Sequence, residues 1–211
     1  GEPLASSSEP LLSHAVATAG ILVDFNPDAD CVIAGLLARS AEDATLVPVL
    51  REKFGPAAAA LAEGAARMVT IEQLGGRVGQ NRAGGAQLEA LRKMLLAMAQ
   101  DMRVVLIKLA DHVQGLRHGV KAEPSAQRNA IARLAVDIYA PLANRLGVWQ
   151  LKWEIEDLSL RILDPEIYQR IARWLDEKRN DREKYIADVV LQLRAALDES
   201  GVAAEISGRP K

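Results

Sequence analysis

The sequence predicts an all-α fold built from many helices. Three observations predict it. Apolar residues recur at three- and four-residue spacings, as in Ile131, Leu134, Ala135 and Ile138 and again in Ile155, Leu158 and Ile162, which is the repeat of one helix face. Asn26-Pro27-Asp28 and Asp164-Pro165-Glu166 each read as a cap followed by proline at the first helical position, and Gly55-Pro56 and Glu123-Pro124 echo the device. The composition is 49% hydrophobic yet only 4% aromatic, which suits Ala- and Leu-rich helix packing better than a sheet.

In chain order, the first helix is expected near 9–24 and carries HAVATAGIL. The second, near 28–41, holds the apolar run Cys31 to Leu37. LVPVLREKF makes a third near 45–54, with Asp43 or Thr45 as its N-cap. A fourth, alanine-rich, spans 57–74. Residues 75–87, GGRVGQNRAGGAQ, hold five glycines and no apolar period, and are expected to form a mobile loop. Further helices follow near 88–100, 102–118, 125–140, 148–163, 165–178 and 181–200. Gly201 is a stop signal, and the last residues, VAAEISGRPK, read as a short strand.

Charge narrows the function classes. With 26 Lys and Arg against 28 Asp and Glu, no broad basic surface for nucleic acid is expected. One cysteine, Cys31, precludes an intrachain disulfide and reads as a small core residue. No apolar run approaches the ~18 residues of a membrane span, and no signal-peptide pattern is evident. A cytoplasmic protein with no membrane partner is expected.

Few residues carry chemistry. His14 sits early in the first helix, where a cap or a partly buried polar role outweighs a ligand role. Asp111, in KLADHVQGL, follows the apolar run Val104 to Ile107 and Leu109. A carboxylate in such a helix requires a cation, a metal or backbone donors, and an ion pair is as good a reading as a ligand. His112 and His118 fall off the aspartate's face and are expected in solvent. Glu42-Asp43 could hold a cation, but from spacing alone a helix cap is the favoured reading. DEKRNDREK mixes charge signs and reads as a solvated face. Trp149, Trp153 and Trp174 read as packing residues. No P-loop, nucleophile elbow or cysteine zinc site is present.

Four stretches resemble one family. LRKMLLAMAQDMRVVLIKLADHVQGLR, IYAPLANRLGVWQLKWEIEDLSLRIL, IARWLDEKRNDREKYI and AEISGRPK are similar to the N-terminal half of long RelA/SpoT-type proteins, which make and degrade the alarmone (p)ppGpp. The similarity runs from about Glu9 to Lys211. It implies an all-α, HD-type hydrolase bundle over 1–163, connecting helices over 164–200, and the start of a truncated α/β synthetase domain over 201–211.

In that family a histidine on the first core helix, a His-Asp doublet ending a second helix and an aspartate on a later helix bind manganese. A Glu-Asp pair helps prepare the attacking water. His14 matches the first ligand, Asp111 the last, and Glu42 and Asp43 the acidic pair. The doublet falls on Ala38 and Arg39, and there the pattern fails. Two of four ligands are gone, and a catalytic ion needs enough ligands to be held while one position stays open. A guanidinium about 4 Å from a divalent ion would repel it by roughly 8 kcal/mol at an effective dielectric near 20. Arg39 is therefore expected to replace the metal, pairing with Asp111, Glu42 or Asp43.

Other departures agree. The family's basic pair before the first histidine is Ala5-Ser6-Ser7-Ser8 here, and its Arg-Leu-His-Asn run after the aspartate is His112-Val113-Gln114-Gly115. The resemblance thus implies a catalytically inactive hydrolase-like domain, with no metal of its own, in a RelA-type GTP pyrophosphokinase. The alternative is an active manganese-dependent ppGpp 3′-pyrophosphohydrolase with His112 and His118 as substitute ligands. GRPK matches the first synthetase strand, so Arg209 and Lys211 are expected at ATP. The implied partners are the synthetase domain in cis, ATP and GTP or GDP with magnesium for the parent, and the ribosome through regions outside this chain.

Overall fold

The computed structural model describes residues 9–79, 101–202 and 204–206, and of residues 70–79 and 177–183 the backbone alone. The helices are α1 (Leu11–Val23), α2 (Ala29–Leu37), α3 (Val47–Phe54), α4 (Pro56–Gly79), α5 (Met102–Lys121), α6 (Ala126–Leu134), α7 (Ala140–Arg145), α8 (Trp149–Leu163) and α9 (Pro165–Glu199). A 3₁₀ turn, Ser40–Glu42, follows α2, and a π-helical stretch, Ala135–Tyr139, joins α6 to α7. Among the described residues the chain is all-α, as expected. It divides into two compact units, Gly1–Leu163 and Asp164–Lys211.

The first unit is organised around α5, which packs against α1, α2, α4, α6 and α8. Its sequence explains the position. Val104, Val105, Ile107, Leu109, Ala110, Val113 and Leu116 are buried on all sides of the helix, and a helix apolar all round belongs in a core. Asp101 caps its start by accepting from the Arg103 amide at 2.9 Å.

α1 and α2 lie against α5 and against each other. Gly35 permits that approach, because a Cβ there would fall 2.4 Å from Leu22 Cδ1. The α2 cap is Asp28, whose carboxylate accepts from the Cys31 amide at 2.8 Å, two residues beyond the expected Asn26. Asn26 instead takes a positive φ of 50°, a conformation asparagine tolerates better than most residues. Arg103 then joins two helix starts, pairing with Asp101 and with Asp28.

Three boundaries differ from expectation for identifiable reasons. The helix expected to end at 140 continues through α7. Pro141 has no amide hydrogen and its ring crowds the carbonyl four residues back, and the turn before it widens so that the Ala140 amide bonds Ala135 O. Residues 75–79 are helical rather than loop; the rest of that loop, the helix near 88–100 and Ala5 to Ser8 lie outside the described residues. Finally, the two helices expected over 165–200 are one 35-residue helix, since no glycine or proline interrupts Pro165 to Ser200. The expected strand falls mainly on residues outside those described; Gly201, Val202 and residues 204–206 form none.

Candidate functional site

α1, α2 and α5 bring three expected residues together. His14 and Asp111 are buried, at 3% and 7% exposure, and His14 Nε2 lies 2.8 Å from Asp111 Oδ1. Arg39, one residue past the end of α2's Ala38 cap, reaches the same oxygen with Nε at 3.1 Å. Its terminal nitrogen comes within 3.4 Å of His14 Nε2. Ala38 is buried and offers no ligand atom.

Sequence reasoning missed three members of this network. Lys108, one turn before Asp111 on α5, donates to Asp111 Oδ2 at 3.0 Å and is itself buried. Glu9 bonds His14 Nδ1 at 2.8 Å and accepts from the Gln114 amide group at 2.7 Å. The signal for Lys108 was present: a lysine inside an apolar run, three residues from an aspartate on the same helix. Nothing local pointed to Glu9 and Gln114, which meet across 105 residues.

The electrostatics follow from these contacts. Burial opposes protonation of His14, but hydrogen bonding and charge from Asp111, with Glu9 on the other ring nitrogen, outweigh it and raise the pKa above 6.5, while Arg39 opposes that rise. With a carboxylate on each nitrogen the imidazolium can donate twice. The 3.4 Å approach of Arg39 to Nε2 is then a crowding of cations, not a hydrogen bond. Burial by itself would raise the Asp111 pKa, yet the Lys108 charge, the His14 hydrogen bond and the Arg39 charge hold it well below the usual carboxylate range. Asp111 is an anion shared by three cationic groups.

That donor set does not fit a catalytic metal. Both Asp111 oxygens accept from cations, His14 Nε2 is engaged, and Ala38 contributes nothing. Among the described residues no group of three or more His, Cys, Asp or Glu is arranged to hold an ion.

The remaining expected residues are placed differently. Asp43 is exposed and accepts from the Thr45 amide and hydroxyl, at 3.0 and 2.7 Å. It closes a turn of its own rather than capping α3, which begins at Val47. Glu42 is exposed on the 3₁₀ turn. His112 is buried rather than solvated, because α5 is enclosed all round between Ile107 and Gln114; its ring packs on Tyr139, tilted by 32° with centroids 3.7 Å apart. His118 is half-buried and lines a cavity of about 240 Å³ with Gly115, Gly119, Arg128 and Ile162. Arg128 ties that cavity's walls, donating to Ala122 O at 2.9 Å and Ile162 O at 3.4 Å.

The three tryptophans are not packing residues. Trp149, Trp153 and Trp174 are 48, 62 and 62% exposed. On α8 the buried positions are Leu151, Ile155, Ser159 and Ile162, and Trp149 and Trp153 fall on the opposite side. Arg209 and Lys211 lie outside the described residues.

Comparison with known proteins places the bundle. The family model described as HD domain matches residues 2–149. This chain belongs to the HD domain family. Its curated relatives are of RelA/SpoT type. It is 44% identical over 203 residues to a GTP pyrophosphokinase of Escherichia coli, covering 95% of this chain and 27% of that protein. Identity is 43% over 192 residues to the GTP pyrophosphokinase of Photobacterium angustum, covering 90% of this chain and 26% of that one. A protein of Synechocystis named probable guanosine-3′,5′-bis(diphosphate) 3′-pyrophosphohydrolase is 40% identical over 207 residues, covering 97% of this chain and 26% of the relative. The chain therefore spans about a quarter of the length of the curated relatives it matches. Among the described residues no helix is long and apolar enough to cross a membrane.

Proposed function

We propose that residues 1–163 are a catalytically silent, hydrolase-like regulatory domain of a RelA-type GTP pyrophosphokinase. The observation that carries the reading is Arg39, whose guanidinium sits on Asp111 Oδ1 at 3.1 Å and beside His14 Nε2. A fixed cation satisfies the aspartate that a metal would otherwise satisfy, so α1, α2 and α5 stay tied without an ion. Water activation by a metal has no place to occur in this network.

In this reading residues 164–200 connect to a synthetase domain that begins at 201–211, with Arg209 and Lys211 at ATP. The parent transfers pyrophosphate from ATP to GTP or GDP with magnesium, in the cytoplasm, and regions outside this chain meet the ribosome. The domain acts on the synthetase in cis, through helix contacts that include the DREKYIADVV segment. Purified chain incubated with ppGpp and manganese is expected to release no pyrophosphate, and metal-dependent turnover would overturn the proposal.

A second reading is favoured by one observation, the hydrolase name of the Synechocystis relative. It makes the chain an active manganese-dependent ppGpp 3′-pyrophosphohydrolase. It needs replacement ligands, and His112, stacked on Tyr139, is poorly disposed to be one. Elemental analysis separates the two readings: stoichiometric manganese supports the second.

A further inference from the structure

A groove of about 740 Å³ opens between the Ala41–Ala44 segment, α3 and α4, with Glu42 of the acidic pair among its lining residues. Ala44, Val47, Pro48, Ala66 and Val69 give it a small-residued apolar lining. Two guanidiniums stand at the groove, Arg51 from α3 and Arg67 from α4, and they converge on one carboxylate. Arg67 donates to Glu63 Oε1 at 3.0 Å, while Arg51 lies 3.7 Å from Glu63 Oε2.

We propose that this groove binds a small organic anion with an apolar body, its carboxylate or phosphate held between Arg51 and Arg67. The volume lies within the range of small-molecule sites, and a mostly apolar lining with a few convergent polar groups is their usual composition. Glu63 already demonstrates that one carboxylate can face both arginines, one oxygen to each. It is a weak occupant. Both arginine side chains are more than half exposed, at 56 and 62%, and such pairs contribute little. The Arg51 contact is also too long for a hydrogen bond. A ligand anion can displace Glu63 at small cost, and its apolar body gains contact with the alanine, valine and proline lining that water otherwise covers. Fork-shaped guanidiniums suit a planar carboxylate or a phosphate better than ammonium groups would. Neither Arg51 nor Arg67 belongs to the His14–Asp111–Arg39 network.

The test follows backbone amides of α3 and α4 by NMR while the chain is titrated with hexanoate, acetate and hexanol. Hexanoate is expected to saturate these shifts with affinity about tenfold above either acetate or hexanol, since only it supplies both anion and apolar body. Glu63→Gln, which removes the resident anion, is expected to tighten hexanoate binding several-fold. The Arg51→Ala, Arg67→Ala double variant is expected to abolish it with the far-UV circular dichroism unchanged, as both arginine side chains are more than half exposed. Inorganic phosphate that competes with hexanoate assigns the anion pocket to phosphate as well as carboxylate. The proposal is overturned if hexanoate gives no saturable shift in α3 and α4, if hexanol binds as well as hexanoate, or if Glu63→Gln weakens binding.

Discussion

Arg39 Nε and His14 Nε2 converge on a single oxygen, Asp111 Oδ1, at 3.1 and 2.8 Å. Lys108 takes the other oxygen at 3.0 Å. One buried carboxylate thus joins two helices and a connecting segment: α1 through His14, α5 through itself and Lys108, and the segment after α2 through Arg39. Such a network is stable only while every member is matched.

The cost of removing its members is therefore unequal. Asp111→Ala takes away the anion that three cationic groups share, and should destabilise the first unit by about 3–5 kcal/mol. Arg39→Ala removes the charge-assisted bond to Asp111 at a position 30% exposed and leaves Lys108 and His14 on Asp111, so a loss of about 1–2 kcal/mol is expected. The double variant should fall short of the sum by about 1 kcal/mol. Urea unfolding of the four proteins measures all three quantities.

Stability should also depend on pH in a directed way. The raised His14 pKa contributes stability that is fully present below the unfolded value of 6.5 and is lost as pH rises through the folded pKa. The lowered Asp111 pKa contributes stability present above 3.8, lost as pH falls towards the folded value. The network is thus strongest between these two reference values. Thermal melts of the native chain and of His14→Gln across pH 5 to 9 should converge towards the alkaline end. Parallel curves would show that His14 stays neutral.

Helix approach positions the network. Gly35→Ala would place a methyl group 2.4 Å from Leu22 Cδ1. Overpacking of this kind costs about 1–3 kcal/mol. Separation of α1 from α2 should also weaken the reach of Arg39 to Asp111, so the pH dependence assigned to His14 should change along with the melting temperature.

Exposure of all three tryptophans has a spectroscopic consequence. Intrinsic fluorescence should be red-shifted and readily quenched by acrylamide in the native chain, with little further shift on unfolding. A blue-shifted native spectrum would contradict the exposures of Trp149, Trp153 and Trp174.

Much of this was legible in the sequence. The all-α class followed from spacing and punctuation; a buried aspartate required a cation or a metal, and only the family resemblance pointed to Arg39, with Asp111, Glu42 and Asp43 all open as its partner. Periodicity gave less where a helix has no solvent face. It put His112 outside because an amphipathic helix was assumed, and α5 is enclosed on every side between Ile107 and Gln114. It put Trp149 and Trp153 inside because large aromatics usually are, although Leu151, Ile155 and Ile162 already define the buried side of α8. Glu9 and Gln114 were illegible for a different reason: their bond spans 105 residues, and only the packed fold brings them together. The position of α3's start was obscured by Asp43, whose side chain bonds Thr45 and mimics a cap without being one.

The central claim is that a guanidinium stands in for a metal ion, and manganese binding followed by electron paramagnetic resonance tests it most directly. Manganese titrated into the native chain should remain in its free, aquo form, whereas the Ala38→His, Arg39→Asp variant should bind one ion and gain thermal stability with added manganese. One tightly bound manganese per native chain, lost on changing His14 or Asp111, would contradict the account.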